Sequence, residues 1–299
     1  MVRLKFSITL NYQVLDASAD FILNFQPAFT ERQKVLNEEL QINQDNAAVT
    51  QLTRADGIRY IKLRAGTGPL SIFYSGTVDI DHYQEDPDSL HEMQISELPI
   101  DVMPFVYPSR YCQSDELTAL ANFEFGAMKP GYHRVVAIQQ WVNRRIKFQI
   151  GSSGSTTTAR DTLLGHAGVC RDFAHLMIAL CRALNMPARF VSGIDYGADP
   201  SLGPTDFHAY VEVMLSGRWY LFDPSDVSPT MGLVRLGTGR DAADVSFATV
   251  FGNVLTQSPV IEIQAVVDEQ NGFYLPVRQQ NALSSSDNFV STFNASYGK

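Results

Sequence analysis

Leu4, Phe6, Ile8, Leu10 and Tyr12 stand at every second position of the N-terminal run, with Lys5, Ser7, Thr9 and Asn11 between them. Successive side chains of a strand point to opposite faces, so such a run can bury one face and wet the other. Phe21, Leu23 and Phe25 repeat the pattern, and IRYIKL (58–63) and LSIFYSGTVDI (70–80) continue it between turn residues. Half-wet alternation of this kind belongs to antiparallel sheets, and a small β-sandwich or meander is expected over 1–95. The acidic, proline-bearing stretch QEDPDSLHEMQISELP (84–99) marks a boundary. A second domain over 96–280 and a loose polar tail, NALSSSDNFVSTFNASYGK (281–299), complete the expected organisation.

In the second domain the period changes. Ser114 can cap a helix over DELTALANFEF that Gly126 ends, and Val135, Ile138, Trp141, Val142 and Arg145 recur at helical spacing in 131–146. After a loop rich in Gly, Ser and Thr (151–159), an apolar helix starts near Cys170. Asn185 is its expected left-handed cap, and Pro187 cannot continue it. Strands follow near 188–194, 207–215, 218–223 and 259–267. The fold class is therefore α+β: an antiparallel β-domain, then helices packed on a second antiparallel sheet.

At 299 residues the chain can bury two cores, and its 45% hydrophobic and 18% charged residues are those of a globular protein. A formal charge of −9 argues against nucleic acid and anionic membrane surfaces as partners. The alternating N-terminus lacks the continuous apolar core of a signal peptide, and no apolar run is long enough to span a bilayer. Three cysteines form no disulfide framework, so a reducing cytoplasm is the expected location.

GVCRDFAHL (168–176) raises the chemical question. In the first helical turn, unpaired backbone N–H groups and the positive end of the dipole stabilise a thiolate, and the same amides can hold an oxyanion. Cys181 lies about 16 Å farther along the helix, beyond disulfide reach, and reads as a core residue. His175 points about 140° away from Cys170 and reads as structural. His166, in the preceding turn, reads as a substrate-loop or solvated residue. A free thiol of pKa near 8.5 is only a few per cent ionised at pH 7, whereas an imidazolium about 4 Å away contributes on the order of 4 kcal/mol. A histidine partner decides the matter.

His208 supplies one. In TDFHAYVEVMLSGRWYLFDPSD (205–226), two strand-like runs flank Ser216-Gly217, a tight-turn pair. With those two residues as the loop, 215 faces 218, Tyr210 faces Asp223 and His208 faces Ser225. His208 and Asp223 then share a face as diagonal neighbours, about 7–8 Å apart at the backbone and within side-chain reach. A one-residue slip separates them, leaving Asp206 or Asp226 as substitutes.

These blocks, GVCRDFAHLMIALCRALNMPARFVSGI and DFHAYVEVMLSGRWYLFDPS, resemble the bacterial transglutaminase-like superfamily, whose core is papain-like. The likeness runs through YPSRYCQSDEL and WVNRRIKFQIGSSGSTTTARDTL upstream and GTGRDAADVSFATVFG downstream, covering roughly 105–255. The β region before it resembles the N-terminal domain of these bacterial proteins. The resemblance implies Cys170 as nucleophile, His208 as general base and Asp223 as orienting acid. It leaves the second oxyanion donor open among Trp141, His166 and the loop at 149–158.

Three other readings compete. His166, Cys170, His175 and His208 could ligate a metal, but their spacing matches no zinc pattern. Gly237, Gly239 and Ala242 keep G-x-G-x-x-A spacing with Glu262 20 residues on, yet Asp241 and Asp244 would sit beside a pyrophosphate. That stretch is expected instead as a glycine-bearing loop and short helix near the active-site rim. The third is a binding or scaffold module with an unused triad. The expectation adopted is a cofactor-free, metal-free cysteine enzyme that cleaves an amide or peptide bond of a peptide or protein substrate through a thioester. Acyl transfer from glutamine to an amine is the alternative. Tyr210 and Glu212 on the face of His208, with Asp206, Asp223 and Asp226, suggest an acidic rim that keeps an ammonium protonated and favours water.

Overall fold

The computed structural model describes residues 1–199, 201 and 203–286. Two strands of 22 residues each, β1 (Val2–Leu23) and β4 (Arg59–Ile80), form the spine of the first sheet. They pair antiparallel along nearly their whole length, from Val2 opposite Ile80 to Leu23 opposite Ile61. The outer edge of β4 carries β2 (Gln33–Ile42) and β3 (Ala48–Thr53). Even-numbered residues of β1 are buried from Val2 to Val14, and odd-numbered ones from Ala19 to Leu23. The switch is a bulge: Val14 faces Gly68 and Ser18 faces Gly66, so three residues oppose Thr67 alone. Two runs that read as separate strands are thus one strand with a phase shift.

After β5 (Tyr83–Glu85) come α1 (Thr118–Phe125) and α2 (Tyr132–Arg145). Helix α1 starts later than the sequence suggests. Residues 114–117 form a turn, and the Ser114 carbonyl, not its hydroxyl, accepts from Leu117 N and Thr118 Oγ1. Next are β6 (Lys147–Phe148), α3 (Ala159–Gly165), β7 (Ala167–Gly168) and α4 (Cys170–Ala183). The second sheet follows from β8 (Ala188–Asp195), β9 (Phe207–Leu215), β10 (Arg218–Phe222) and β11 (Leu233–Gly239), in the order β10-β9-β8-β11, all antiparallel. The chain then returns. β12 (Ala248–Phe251), β13 (Val254–Thr256) and β14 (Val260–Ala265) all pair with the free edge of β1. The end of the stretch expected to belong with the second sheet therefore completes the first.

The second sheet is buried on both faces. Phe190, Val211, Val213, Tyr220 and Phe222 pack with α4 and the other helices. Val191, Tyr210 and Leu221 share a core with Leu4, Phe6, Phe21 and Tyr74 of the first sheet. Gln33 ties the layers: its amide donates to Ala28 O (2.7 Å) and Arg235 O (2.9 Å), and its oxygen accepts from Arg235 N (2.9 Å). A buried amide bonded at both ends costs little and fixes how the sheets meet.

The expected loose tail begins with order. β15 (Ala282–Ser284) pairs with β5, and Ser284, Ser285 and Ser286 are buried. Residues 287–299 of that tail lie outside the described residues. Among the described residues, no helix is long and apolar enough to cross a membrane.

Candidate active site

Cys170 is the first residue of α4, and Asp172 fixes that helix start. Its buried carboxylate accepts from Val169 N (2.8 Å) and from Ser153 Oγ (2.8 Å), while Arg171 donates to Ser153 Oγ (2.7 Å) and Gly154 O (2.5 Å). The loop over 151–155 is thereby bound to the first turn of the helix. Gly168 is required for this closure, since a Cβ there would lie 2.7 Å from Asp172 Cβ. Cys170 is half-buried, its Sγ 3.9 Å from Phe207 O. Its N–H belongs to the four at a helix start with no intrahelical acceptor.

The hairpin closes as its turn chemistry requires. Ser216 (φ 48°) and Gly217 (φ 80°) are both left-handed, the backbone of the tight turn that matches strand twist. Leu215 faces Arg218 and Val211 faces Phe222, so the register reaches Tyr210 opposite Asp223. His208 Nε2 and Asp223 Oδ2 stand 3.2 Å apart, both side chains almost fully buried. The ring N–H is not aligned on that oxygen, so the contact is an ion pair and not a directed hydrogen bond. Asp223 Oδ1 accepts from Ser225 Oγ (2.6 Å) and Ser225 N (3.0 Å). From α2, Gln139 donates to Asp223 O (3.1 Å), and Asn143 donates to Pro224 O and Ser225 O (both 3.2 Å).

Burial alone would lower the His208 pKa. The Asp223 carboxylate outweighs it, and the imidazole is held well above its ordinary value. Burial would raise Asp223, and His208 with Ser225 reverses that and lowers it. Each group holds the other charged. The other two thiols differ: burial pushes Cys112 up to about 12 and Cys181 higher still.

The remaining sequence candidates lie elsewhere. His175 is fully buried, stacked on Tyr111 (5.0 Å between centroids), and burial drives its pKa well down. Its Nε2 accepts from Ala242 N (3.1 Å), as suits a neutral core imidazole. Exposed His166 caps α3 in a left-handed conformation (φ 54°). Trp141 packs edge-on against Phe125 and beneath Arg145. Asp226 pairs with Arg278, and Asp206 accepts from Phe207 N (2.7 Å). The glycine stretch at 237–244 is corrected. Gly237 and Gly239 lie within β11, the Ala242 and Ala243 amides are taken by His175 and Asp241, and Glu262 belongs to the other sheet. This stretch packs along α4, where Ala242 N donates to His175 Nε2 (3.1 Å) and Arg182 reaches Arg240 O (2.6 Å).

Glu212 is a second correction. It adds nothing to an acidic rim, because it is fully buried and ion-paired with Arg189 (2.6 Å) and Arg235, with Ser286 donating to it (3.2 Å).

The sequence matches the Transglutaminase-like superfamily over residues 120–224. A solved structure from Cytophaga hutchinsonii, described as that of a "Putative Cysteine Protease", is 36% identical. It covers 95% of this chain and 97% of its own, with a TM-score of 0.85. An uncharacterized protein of Mycobacterium leprae is 34% identical over 117 residues, 38% of this chain. An uncharacterized protein of Mycobacterium tuberculosis is 34% identical over 132 residues, 40% of this chain. The matches span 42% and 41% of the length of these two relatives.

Proposed function

Because this chain belongs to the transglutaminase-like superfamily, we propose that it is a cysteine-nucleophile enzyme cleaving an amide or peptide bond through a thioester on Cys170. The observation that carries the reading is Cys170 at the start of α4, its Sγ 3.9 Å from the carbonyl of Phe207, whose neighbour His208 has its imidazole 3.2 Å from the Asp223 carboxylate. In the reaction, Cys170 Sγ attacks the carbonyl carbon, and the Cys170 N–H stabilises the oxyanion. His208, charged by the thiol proton, protonates the leaving amine as the C–N bond breaks. It then takes a proton from water, whose oxygen attacks the thioester and releases the acid and the thiol. Asp223 keeps the imidazole oriented and its charged form stable.

Asp206 and Asp195 stand beside His208 on the strand ends and support water over an amine as acyl acceptor, since carboxylates keep a lysine ammonium protonated and unreactive. Three free thiols support a reducing, cytoplasmic location. The substrate is a peptide or protein.

Competition tests the reaction. Glutamine-containing peptides are offered with and without millimolar cadaverine, the thioester on Cys170 is sought by mass spectrometry, and amide is measured against free acid. Free acid as the main product supports hydrolysis. Amine incorporation that disappears in Cys170→Ala assigns acyl transfer instead, and absence of any Cys170 adduct with every peptide removes the enzymatic reading.

A further inference from the structure

The second sheet carries a band of polar groups on the face of His208. Across β8 and β9, Arg189 faces Glu212, Gly193 faces His208 and Ile194 faces Phe207. Alternation puts Arg189, Gly193 and Asp195 of β8 on one face with His208, Tyr210 and Glu212 of β9. At one end of this band the charges are matched: Glu212 is held by Arg189 and Arg235. At the other end they are not. Counting on from the Ile194–Phe207 pair, where the ladder ends, sets Asp195 opposite Asp206, two positions beyond the Gly193–His208 pair and on the face of His208.

Asp195 is only 5% exposed, and its Oδ2 is fully buried without a hydrogen-bond partner. Among the described residues, no arginine donates a hydrogen bond to that oxygen. Arg189 and Arg235 turn to Glu212 and Ser286 at the far end. Asp206, by contrast, is exposed, and only one of its oxygens is engaged, by Phe207 N. Asp195 raises the pKa of both Asp206 and His208, so its charge is felt at the carboxylate opposite and at the imidazole. His208 is a charge neighbour and gives Asp195 Oδ2 no hydrogen bond, and a buried carboxylate oxygen without a donor is costly. Asp206, exposed beside it, gives this end of the band a side from which a cation can approach.

We propose that Asp195 and Asp206 form a cation subsite beside the Cys170–His208 pair, Asp195 as its floor and Asp206 as its mouth, so that the enzyme prefers amide substrates carrying a guanidinium or ammonium group next to the scissile bond. This rests on the hydrolytic reading above and adds the substrate class. The cation recognised is not the attacking amine. It stays protonated and serves to position the chain, with the reacting carbonyl at Cys170.

The test uses fluorescence-quenched peptides in which a single arginine, or its neutral isostere citrulline, is moved through each position. Each peptide is made with a free and an acetylated N-terminus. For at least one position, or for the free α-ammonium, the cationic peptide is cleaved roughly tenfold or more faster than its neutral twin, the size expected of a partly screened charge pair. That ratio, measured at one pH, falls toward one in Asp195→Asn and in Asp206→Asn, while Asp226→Asn keeps it. Which peptide shows it separates a side-chain cation from a terminal one. A ratio near one throughout, or a high ratio that survives both substitutions, overturns the subsite. If no peptide is cleaved, the hydrolytic reading fails by itself, and the subsite is judged by calorimetry on Cys170→Ala. There, N-acetylarginine amide binds more tightly than N-acetylcitrulline amide, and the difference is lost in the Asp195→Asn double variant. Equal binding of the two amides overturns it.

Discussion

Asp223→Asn keeps the shape of the orienting group and removes its charge. At 3.2 Å and an effective dielectric of 20, the Asp223–His208 attraction is about 5 kcal/mol, equivalent to about four pK units at most. Asparagine keeps a dipole, so a fall of about two to four units is expected for His208. Burial, which Asp223 now outweighs, is then opposed only by weaker influences such as Asp195, and the imidazole's pKa falls. At pH 6 the variant therefore holds less of His208 charged than the wild type does. Two measurements follow this directly: NMR titration of the ring with labelled histidine, and the rate of Cys170 alkylation by iodoacetamide at pH 6. The titration midpoint should move down by those units, and the rate should fall about tenfold or more. Stability gives the third reading. A raised His contributes below its unfolded pKa and loses that as pH rises through the folded value. A depressed Asp contributes above its unfolded pKa and loses that as pH falls through its own folded value. Both contributions coexist between about pH 4 and 6.5, so the variant's loss in Tm should be largest there. An unmoved His208 midpoint, or an equal effect from Asp226→Asn, would refute the reasoning.

Cys170 alone should alkylate in the native protein, and His208→Ala should slow it, whereas Cys112 and Cys181 should react only in denaturant; equal labelling of the three would contradict the site. Asp172→Ala frees Val169 N and Ser153 Oγ together and should cost about 1–2 kcal/mol in denaturant unfolding. Activity should fall further than stability, because the helix start that carries Cys170 loosens. Glu212→Gln removes the buried charge that Arg189 and Arg235 share and should destabilise by roughly 3–5 kcal/mol, read as a lower urea midpoint with an unchanged slope.

The hairpin register was legible because two residues settle it. Ser216-Gly217 can take the left-handed turn, and from that turn the Tyr210–Asp223 alignment follows by counting. Cys170 at a helix start was equally local, since Gly168 and the apolar spacing after it define where α4 begins. β11 was not legible, because its glycines looked like turn residues. Gly237 is there for close approach: a Cβ would lie 2.6 Å from the Asn24 side chain. That reason is tertiary and leaves no local trace. The supports of the site, Asn143, Gln139 and Ser153, carried only ordinary helix and loop chemistry. Asp172 was more readable, three residues after Val169 at the spacing of a helix-start carboxylate. Glu212 alternates like any solvent-facing strand residue, and only the second layer above the sheet turns that position into an interior one.

The pairing of β1 with β12, β13 and β14 has a consequence for synthesis. β1 is made early, yet its partners from Ala248 to Ala265 come only after the second sheet has been made. Until then one whole edge of a 22-residue strand lies open, and Leu4 waits for Ala265. Contacts of such sequence separation close late and slow folding. An open edge of that length is also a template for pairing with other chains. A fragment of residues 1–95 should therefore self-associate on size exclusion, and adding a peptide of residues 246–267 in trans should reduce that association. The nascent chain holds one of its two 22-residue strands half-dressed until the last strands of the first sheet have been made.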